Sequence, residues 1–398
     1  MKYDFDKIID RENTACAKWD KRKDVFGKED ILPMWVADAD WPTSPKVVKA
    51  IKERVDHGVF GYSFPDEEHE QAVVSWVKNR YDWEIKPEWL IYSNGVVPSI
   101  EATIKTFCHR GDEVIIQPPV YYPFYTAIKN CGTQVANNML TKENGHYKMD
   151  LDHLSSLLER GEGKRSGSAR HQLLILCSPH NPVGRVWTEK ELNKLGKLTT
   201  EHDITVISDE IHADLVFYDY KHTPFASLSE EFAQSSITTI SPSKTFNLAS
   251  LKTSLMIVPD EKKRERIQQV SARALGSPNV LGLEAMKAAY SKGGYWLEEQ
   301  LDYLQNNLDY TRDFLESQIP QIKAYETQGT YLVWLDFGAL GLNEEELEKF
   351  IIEEARVGLD FGSWFGPGGK GYMRLNVACP KKLLEEGLNR IKKSVERL

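Results

Sequence analysis

Long apolar runs are missing from this chain of 398 residues. No stretch approaches the roughly 18 residues that a membrane-spanning helix needs, so no membrane partner is expected. Cysteine is scarce. Cys16, Cys108, Cys131, Cys177 and Cys379 form no CxxC pair and are odd in number, which excludes a fully paired disulfide framework and points to reduced, mostly buried thiols. Basic charge is not in excess either. Fifty Lys and Arg stand against fifty-nine Asp and Glu, a net charge of −9, and a nucleic-acid partner would require the opposite balance. The stretch Met1 to Asp24 alternates charges and holds no apolar segment of the signal-peptide kind. His180, His202, His212 and His222 show no ligand spacing and HExxH is absent, so no metal is expected. A GxGxxG after the first strand is lacking as well, which counts against a nicotinamide cofactor. These absences leave the expectation of a soluble, cytoplasmic protein.

What is present is an alternation of short apolar runs with longer amphipathic ones, the signature of an α/β sheet with mainly parallel strands. The length allows between two and three domains. Strands are expected at Trp89–Ser93, Glu113–Gln117, Gln172–Cys177, Ile204–Ser208, Ser236–Ser241 and Thr253–Val258. Helices are expected over Ser99–Phe107 and from a capping box, Thr188 to Glu191, toward Glu201. Arg160–Arg170, rich in Gly, Ser and basic residues, has the composition of a solvated hairpin loop. Near Tyr290 the pattern changes. A long charged helix, Gly294 to Gln318, precedes strands Thr330–Phe337 and Tyr372–Val377, which alternate with helices Glu344–Glu354 and Lys381–Leu398.

Four strand ends carry residues with chemical potential. The first is Ser241-Pro242-Ser243-Lys244-Thr245-Phe246-Asn247. A lysine there stands at the C-terminal edge of a sheet, where α/β proteins bind ligands, and its amine can form a Schiff base with a carbonyl cofactor such as pyridoxal phosphate. Alone, such a lysine is also what any solvated turn offers. The second is Asp209-Glu210-Ile211-His212. A carboxylate at 209 can hold a pyridine nitrogen in its protonated form, which makes the ring an electron sink, or it can simply cap a helix. His212 suits a hydrogen bond to a ring oxygen and equally suits a packed core. Third is Ser178-Pro179-His180-Asn181-Pro182-Val183-Gly184, turn chemistry in which the Asn181 amide is a candidate donor. Fourth is Asn94-Gly95-Val96-Val97-Pro98, where free N–H groups at a helix start form an anion site, although Pro98 alone explains a helix start.

With these residues in place the chain resembles the fold-type-I, class I/II aminotransferase superfamily of pyridoxal-phosphate enzymes. The order Asn181, Asp209, Lys244 and the gaps of 28 and 35 residues carry the resemblance, which covers essentially the whole chain. More narrowly it is similar to the cystathionine β-lyase (MalY/PatB-type C–S lyase) branch, through Trp35-Val36-Ala37-Asp38-Ala39-Asp40-Trp41-Pro42, Phe60-Gly61-Tyr62, Gly95–Pro98, Asp209–His212 and Lys244–Asn247. Ser250 departs from the glycine of the family's Asn-x-Ala-Gly-Leu run, and Asn94 stands where the branch often has proline.

The resemblance implies a large domain at 46–289, with a mainly parallel seven-stranded sheet flanked by helices, and a smaller α+β domain made of 1–45 and 290–398. It implies pyridoxal 5′-phosphate as cofactor, bound covalently by Lys244, which also serves as base. Asp209 would hold the pyridinium, Asn181 and His212 the ring oxygen, and Tyr121 would stack on the ring, with neighbouring Tyr122 leaving the register open. Ser241, Ser243, Gly95, Val96, Val97 and Lys252 would grip the phosphate. Tyr62 would reach the phosphate of a second subunit, implying a homodimer with shared sites. Arg374, together with Ala37, Asn181 and Tyr62, would bind the substrate, a small sulfur-containing amino acid. An arginine at a strand end is also commonly a surface ion pair. The activity implied is cleavage of cystathionine or a related cysteine S-conjugate to thiol, pyruvate and ammonia, within amino-acid metabolism and methionine biosynthesis. Transamination at the same residues is the alternative.

Overall fold

The computed structural model describes residues 3–143, 145–161 and 171–398. Its main sheet has seven strands: β1 (Leu90–Ser93), β2 (Glu113–Ile116), β3 (Gln134–Asn137), β4 (His171–Cys177), β5 (Thr205–Asp209), β6 (Ser236–Ile240) and β7 (Ser254–Ile257). The order across the sheet is β1-β7-β6-β5-β4-β2-β3; β7 runs antiparallel to both neighbours and the other pairs are parallel. Strand β4 lies inside the sheet, and Leu173, Leu174, Ile175 and Leu176 are all buried, which is why its sequence is continuously apolar instead of alternating.

The six strands expected for this sheet are present with ends shifted by a residue or so. Edge strand β3, Gln-Val-Ala-Asn, has one buried residue and no apolar run, so it leaves little trace in the sequence. The hairpin Thr141–Glu143 with His146–Lys148 escapes for the same reason. The helix expected from Ser99 begins at Val96, so Pro98 lies within its first turn. The helix Leu151–Gly161 extends into the expected loop, and residues 162–170 lie outside those described. Thr188 and Glu191 form the expected reciprocal capping box over helix Glu189–Glu201.

Beyond Tyr290 the chain runs through helix Gly294–Gln318 into a four-stranded antiparallel sheet: β8 (Lys323–Ala324), β9 (Leu332–Asp336), β10 (Asp360–Phe361) and β11 (Tyr372–Asn376), ordered β8-β9-β11-β10. The expected helix at 344–354 is an α-helical turn and a half, Glu344–Lys349, that widens into a π-helical turn, Phe350–Ala355. One large core joins the N-terminal segment (Phe5, Phe26, Trp41) to this sheet (Leu332, Leu335, Leu375) and to the helix residues Trp296, Leu304 and Leu308.

Candidate active site

Strand register brings the chemistry to one edge. Cys177 of β4 pairs with Asp209 of β5, and Asp209 pairs with Thr239 of β6, so the segments after these strands leave the sheet side by side. Ser93 at the end of β1 pairs with Ser254 at the start of β7, placing the Gly95 turn at the same edge. There a cavity of about 200 Å³ is lined by Ala37, Tyr121, Asn181, Asp209, His212, Ser241, Ser243, Lys244, Lys252 and the Gly95–Val97 turn, among others. Nearly every sequence candidate is thereby gathered into one wall.

Lys244 sits in a short helical turn, Pro242–Thr245, capped by Ser241. The Ser241 hydroxyl accepts from the Ser243 N–H at 3.1 Å and donates to the Thr253 carbonyl at 2.7 Å, so its hydrogen is spent inside the protein. The Lys244 amine donates to the Ala37 carbonyl at 2.7 Å, and the Tyr331 hydroxyl donates to the same oxygen at 3.1 Å. Burial, reinforced by the positive charges of Arg374 and Lys252, lowers the Lys244 amine to about 8 despite the opposing pull of Asp38 and Asp209. An amine of that kind is available as a nucleophile and base near neutral pH.

Asp209 is 3% exposed, and burial pushes its carboxyl up to about 7 against the lowering effect of the Ile211 N–H, which donates to Oδ1 at 3.1 Å. That contact is a local turn, the structural role aspartates commonly take after a strand; the residue nevertheless lines the cavity. His212 is buried and held neutral, first by desolvation and then by the charges of Lys244 and Arg374; its Nδ1 has no hydrogen-bond partner among the described residues. Asn181 accepts from Arg374 Nη1 through Oδ1 at 2.9 Å, which fixes the amide orientation with its NH₂ group as the remaining donor. Tyr121, and not Tyr122, lines the cavity; Tyr122 packs on Trp364 and Phe365.

At the other end, Gly95 precedes helix Val96–Phe107 with φ 157°, and no side chain caps the helix. The first N–H groups are free of intrahelical partners and the helix dipole adds to their pull on an anion. Lys252, at the end of the turn Ala249–Leu251, lines the same region, and so does Asn94, whose Oδ1 is buried without a partner among the described residues.

Arg374 is buried, not a surface residue. It pairs with Asp360, donates to the Trp35 carbonyl at 3.1 Å, and lies over the Phe365 ring. Of the aromatic residues near it, Phe365 is fully buried, whereas Trp35 and Trp364 are half-buried. Two sequence candidates do not line this cavity: Arg374, which reaches its wall through Asn181, and Tyr62, which is fully exposed in a segment with Val59, Phe60 and Phe64 also exposed.

Several supporting residues had no local signal. Arg11 and Lys18 bind Asp38 and Asp40, Lys18 at 2.6 Å from Asp40. Asn247 Nδ2 donates to the carbonyls of Ala39 and Trp41 at 2.9 Å, and Asn376 donates to those of Val36 and Asp38. These contacts pin the Trp35–Trp41 loop so that the Ala37 carbonyl meets Lys244. Only Asn247, inside the Ser241–Asn247 run, and Asn376, two positions after Arg374, offered any hint.

Residues 34–391 match the family described as aminotransferase class I and II. Cystathionine β-lyase PatB of Bacillus subtilis is 43% identical over 389 residues, 98% of each chain. Among solved structures, cystalysin of Treponema denticola, which contains a pyridoxal 5′-phosphate cofactor, superposes with a TM-score of 0.95 at 37% identity over the whole of both chains. The pyridoxal-phosphate-bound C–S lyase of Staphylococcus hominis does so at 0.91 and 33% identity, over 99% of this chain and 98% of the other.

Proposed function

Because the chain belongs to the class I and II aminotransferase family, we propose that it is a pyridoxal-phosphate-dependent C–S β-lyase that converts cystathionine, or a related cysteine S-conjugate, and water to a thiol, pyruvate and ammonia. One observation carries the reading: a buried, weakly basic Lys244 amine shares a single cavity with the Asp209 carboxyl, the oriented Asn181 amide and a neutral His212. The donor set fits the cofactor at every end, and the partnerless Nδ1 of His212 and Oδ1 of Asn94 lie on that cavity's wall. When bound, pyridoxal phosphate supplies an aldehyde that condenses with amines and a ring that withdraws the electron pair left when a Cα–H bond breaks.

The residues divide the remaining work. Lys244 would be the residue that holds the cofactor, and its neutral amine would take the substrate's Cα proton. Asp209 keeps a proton on the ring nitrogen, which strengthens electron withdrawal. Asn181 and His212 fix the ring's oxygen edge, and Tyr121 covers one ring face. The Val96 and Val97 N–H groups, Ser243 and Lys252 hold the phosphate, with Ser241 shaping the turn that presents them. Arg374 binds the substrate's α-carboxylate, so substrate is held at two points and the Cα–H bond is aimed at Lys244. The pair left at Cα would then form a Cα=Cβ bond in the substrate while the Cβ–S bonding pair departs with the sulfur as thiolate. We further propose a homodimer in which Tyr62 of each copy reaches the phosphate end of the other's site, supported by the exposed Val59, Phe60, Tyr62 and Phe64, and a place in the cytoplasm, where the five free thiols stay reduced.

The deciding experiment incubates holoprotein with L-cystathionine and no keto-acid acceptor. Pyruvate and ammonia are expected in equal amounts, and Lys244→Ala is expected to lower the rate by at least about a thousandfold. No pyruvate without an acceptor, but amino-group transfer once a keto acid is added, assigns the site to transamination instead.

A further inference from the structure

Asp360 on β10 stands directly opposite Arg374 on β11, in register across an antiparallel pair. Side chains of both are buried, 1% and 2% exposed, and they form an ion pair through Nη2 and Oδ2. The guanidinium is otherwise committed through Nη1 to Asn181 and through Nη2 to the Trp35 carbonyl. Arg374 Nε and Asp360 Oδ1 have no partner among the described residues. The arginine therefore offers an incoming carboxylate a limited set of donors, and its positive charge is already balanced.

The other cations nearby do not change this balance. Arg11 is held by Asp38 and Asp40, and Lys18 by the same two carboxylates. Among the described residues, the cationic groups on the cavity wall are Lys244 and Lys252, both assigned above to the cofactor.

We propose that Asp360 is a specificity-determining positioning residue: by holding one arm of Arg374 and cancelling its charge, it leaves room for one α-carboxylate and rejects amino acids that bear a second carboxylate on the side chain. The inference rests on Arg374 being the α-carboxylate anchor. In a buried site an anion without a matching cation is costly. A thioether side chain brings no charge, and the distal end of cystathionine, an ammonium with a carboxylate, brings none in sum. The α-carboxylate takes the Arg374 donors that Asp360, Asn181 and the Trp35 carbonyl leave over, whereas an acidic side chain would add a second anion that no free cation among the described residues of the cavity wall meets. Specificity then comes from a built-in repulsive charge as much as from attraction.

The test measures binding of L-alanine and L-aspartate to the holoprotein from the shift of the cofactor's absorption band. Wild type is expected to bind L-alanine at least about tenfold more tightly than L-aspartate. In Asp360→Asn the ratio should fall by about tenfold, because Arg374 regains an unbalanced charge at unchanged side-chain shape. Asp360→Glu should weaken both amino acids while keeping their ratio within about threefold of wild type. Equal binding of the two by wild type overturns the proposal even if the asparagine variant does not fold, and so does an asparagine variant that shifts both constants equally. Band shifts need no turnover, so a missing release of pyruvate from cystathionine counts against the lyase reading and leaves this ratio to be judged by itself.

Discussion

Asp209 and Lys244 are ionisable side chains taken out of water, and burial moves them in opposite directions: the carboxyl up to about 7, the amine down to about 8. For Asp209 the consequence for folding has a definite sign. Its carboxyl titrates higher in the folded apoprotein than in the unfolded chain, so its contribution to stability is complete below about pH 4 and is lost as pH rises through 7. Asp209→Asn never ionises. Thermal unfolding of the apoproteins should therefore show the variant more stable than wild type at pH 8, by a few kcal/mol at about 1.4 kcal/mol per unit, with the gap closing toward pH 4. With cofactor bound the order should reverse, since a protonated ring nitrogen gives the wild-type carboxylate its partner. A variant less stable than wild type at pH 8 without cofactor would contradict the account. The site trades apoprotein stability for function.

At the scale of an element, the start of helix Val96–Phe107 is the clearest case of sequence shaping a site. Gly95 adopts φ 157°, and a Cβ there would meet Pro98 Cδ at 3.2 Å. Backbone in that region is essentially restricted to glycine and costs other residues about 1–3 kcal/mol. Gly95→Ala is expected to turn the first N–H groups away from the phosphate and to raise the cofactor's dissociation constant by about tenfold, read by titration of the apoprotein, while far-UV circular dichroism stays unchanged. Cofactor affinity equal to wild type would remove the helix start from the phosphate site. The glycine, Pro98 and the following apolar run were all legible in the sequence, because turn chemistry acts between neighbours. Edge strand β3 was not, because a short strand with one buried residue has no period to detect.

For the whole molecule, the exposed segment with Val59, Phe60, Tyr62 and Phe64 concentrates large apolar side chains on a surface otherwise rich in charge. If two copies bury it, Phe60→Asp combined with Phe64→Asp should give a monomer by analytical ultracentrifugation and lose most of the lyase activity. Tyr62→Phe should leave the dimer intact and weaken cofactor binding. A double variant that remains dimeric places the interface elsewhere. Sequence alone suggested Tyr62 only through its neighbours Phe60 and Gly61; its exposure belongs to the folded chain.

Local order in the chain determined much of this protein: which runs are strands, where helices are capped, and that Asn181, Asp209 and Lys244 each follow a strand. Those features depend on side chains a few positions apart, whose steric and hydrogen-bonding preferences survive in any context. Tertiary packing alone decided that the Lys244 amine meets the Ala37 carbonyl 207 positions away, and that Arg374 turns Asn181 from 193 positions away. It also decided that Tyr121 faces the cavity in place of Tyr122, and that Arg374 is buried against Asp360. Such contacts follow no periodicity. They exist because burying charged groups is tolerable only where the fold supplies each with a partner, and that supply is set by how the two sheets and the N-terminal loop come together.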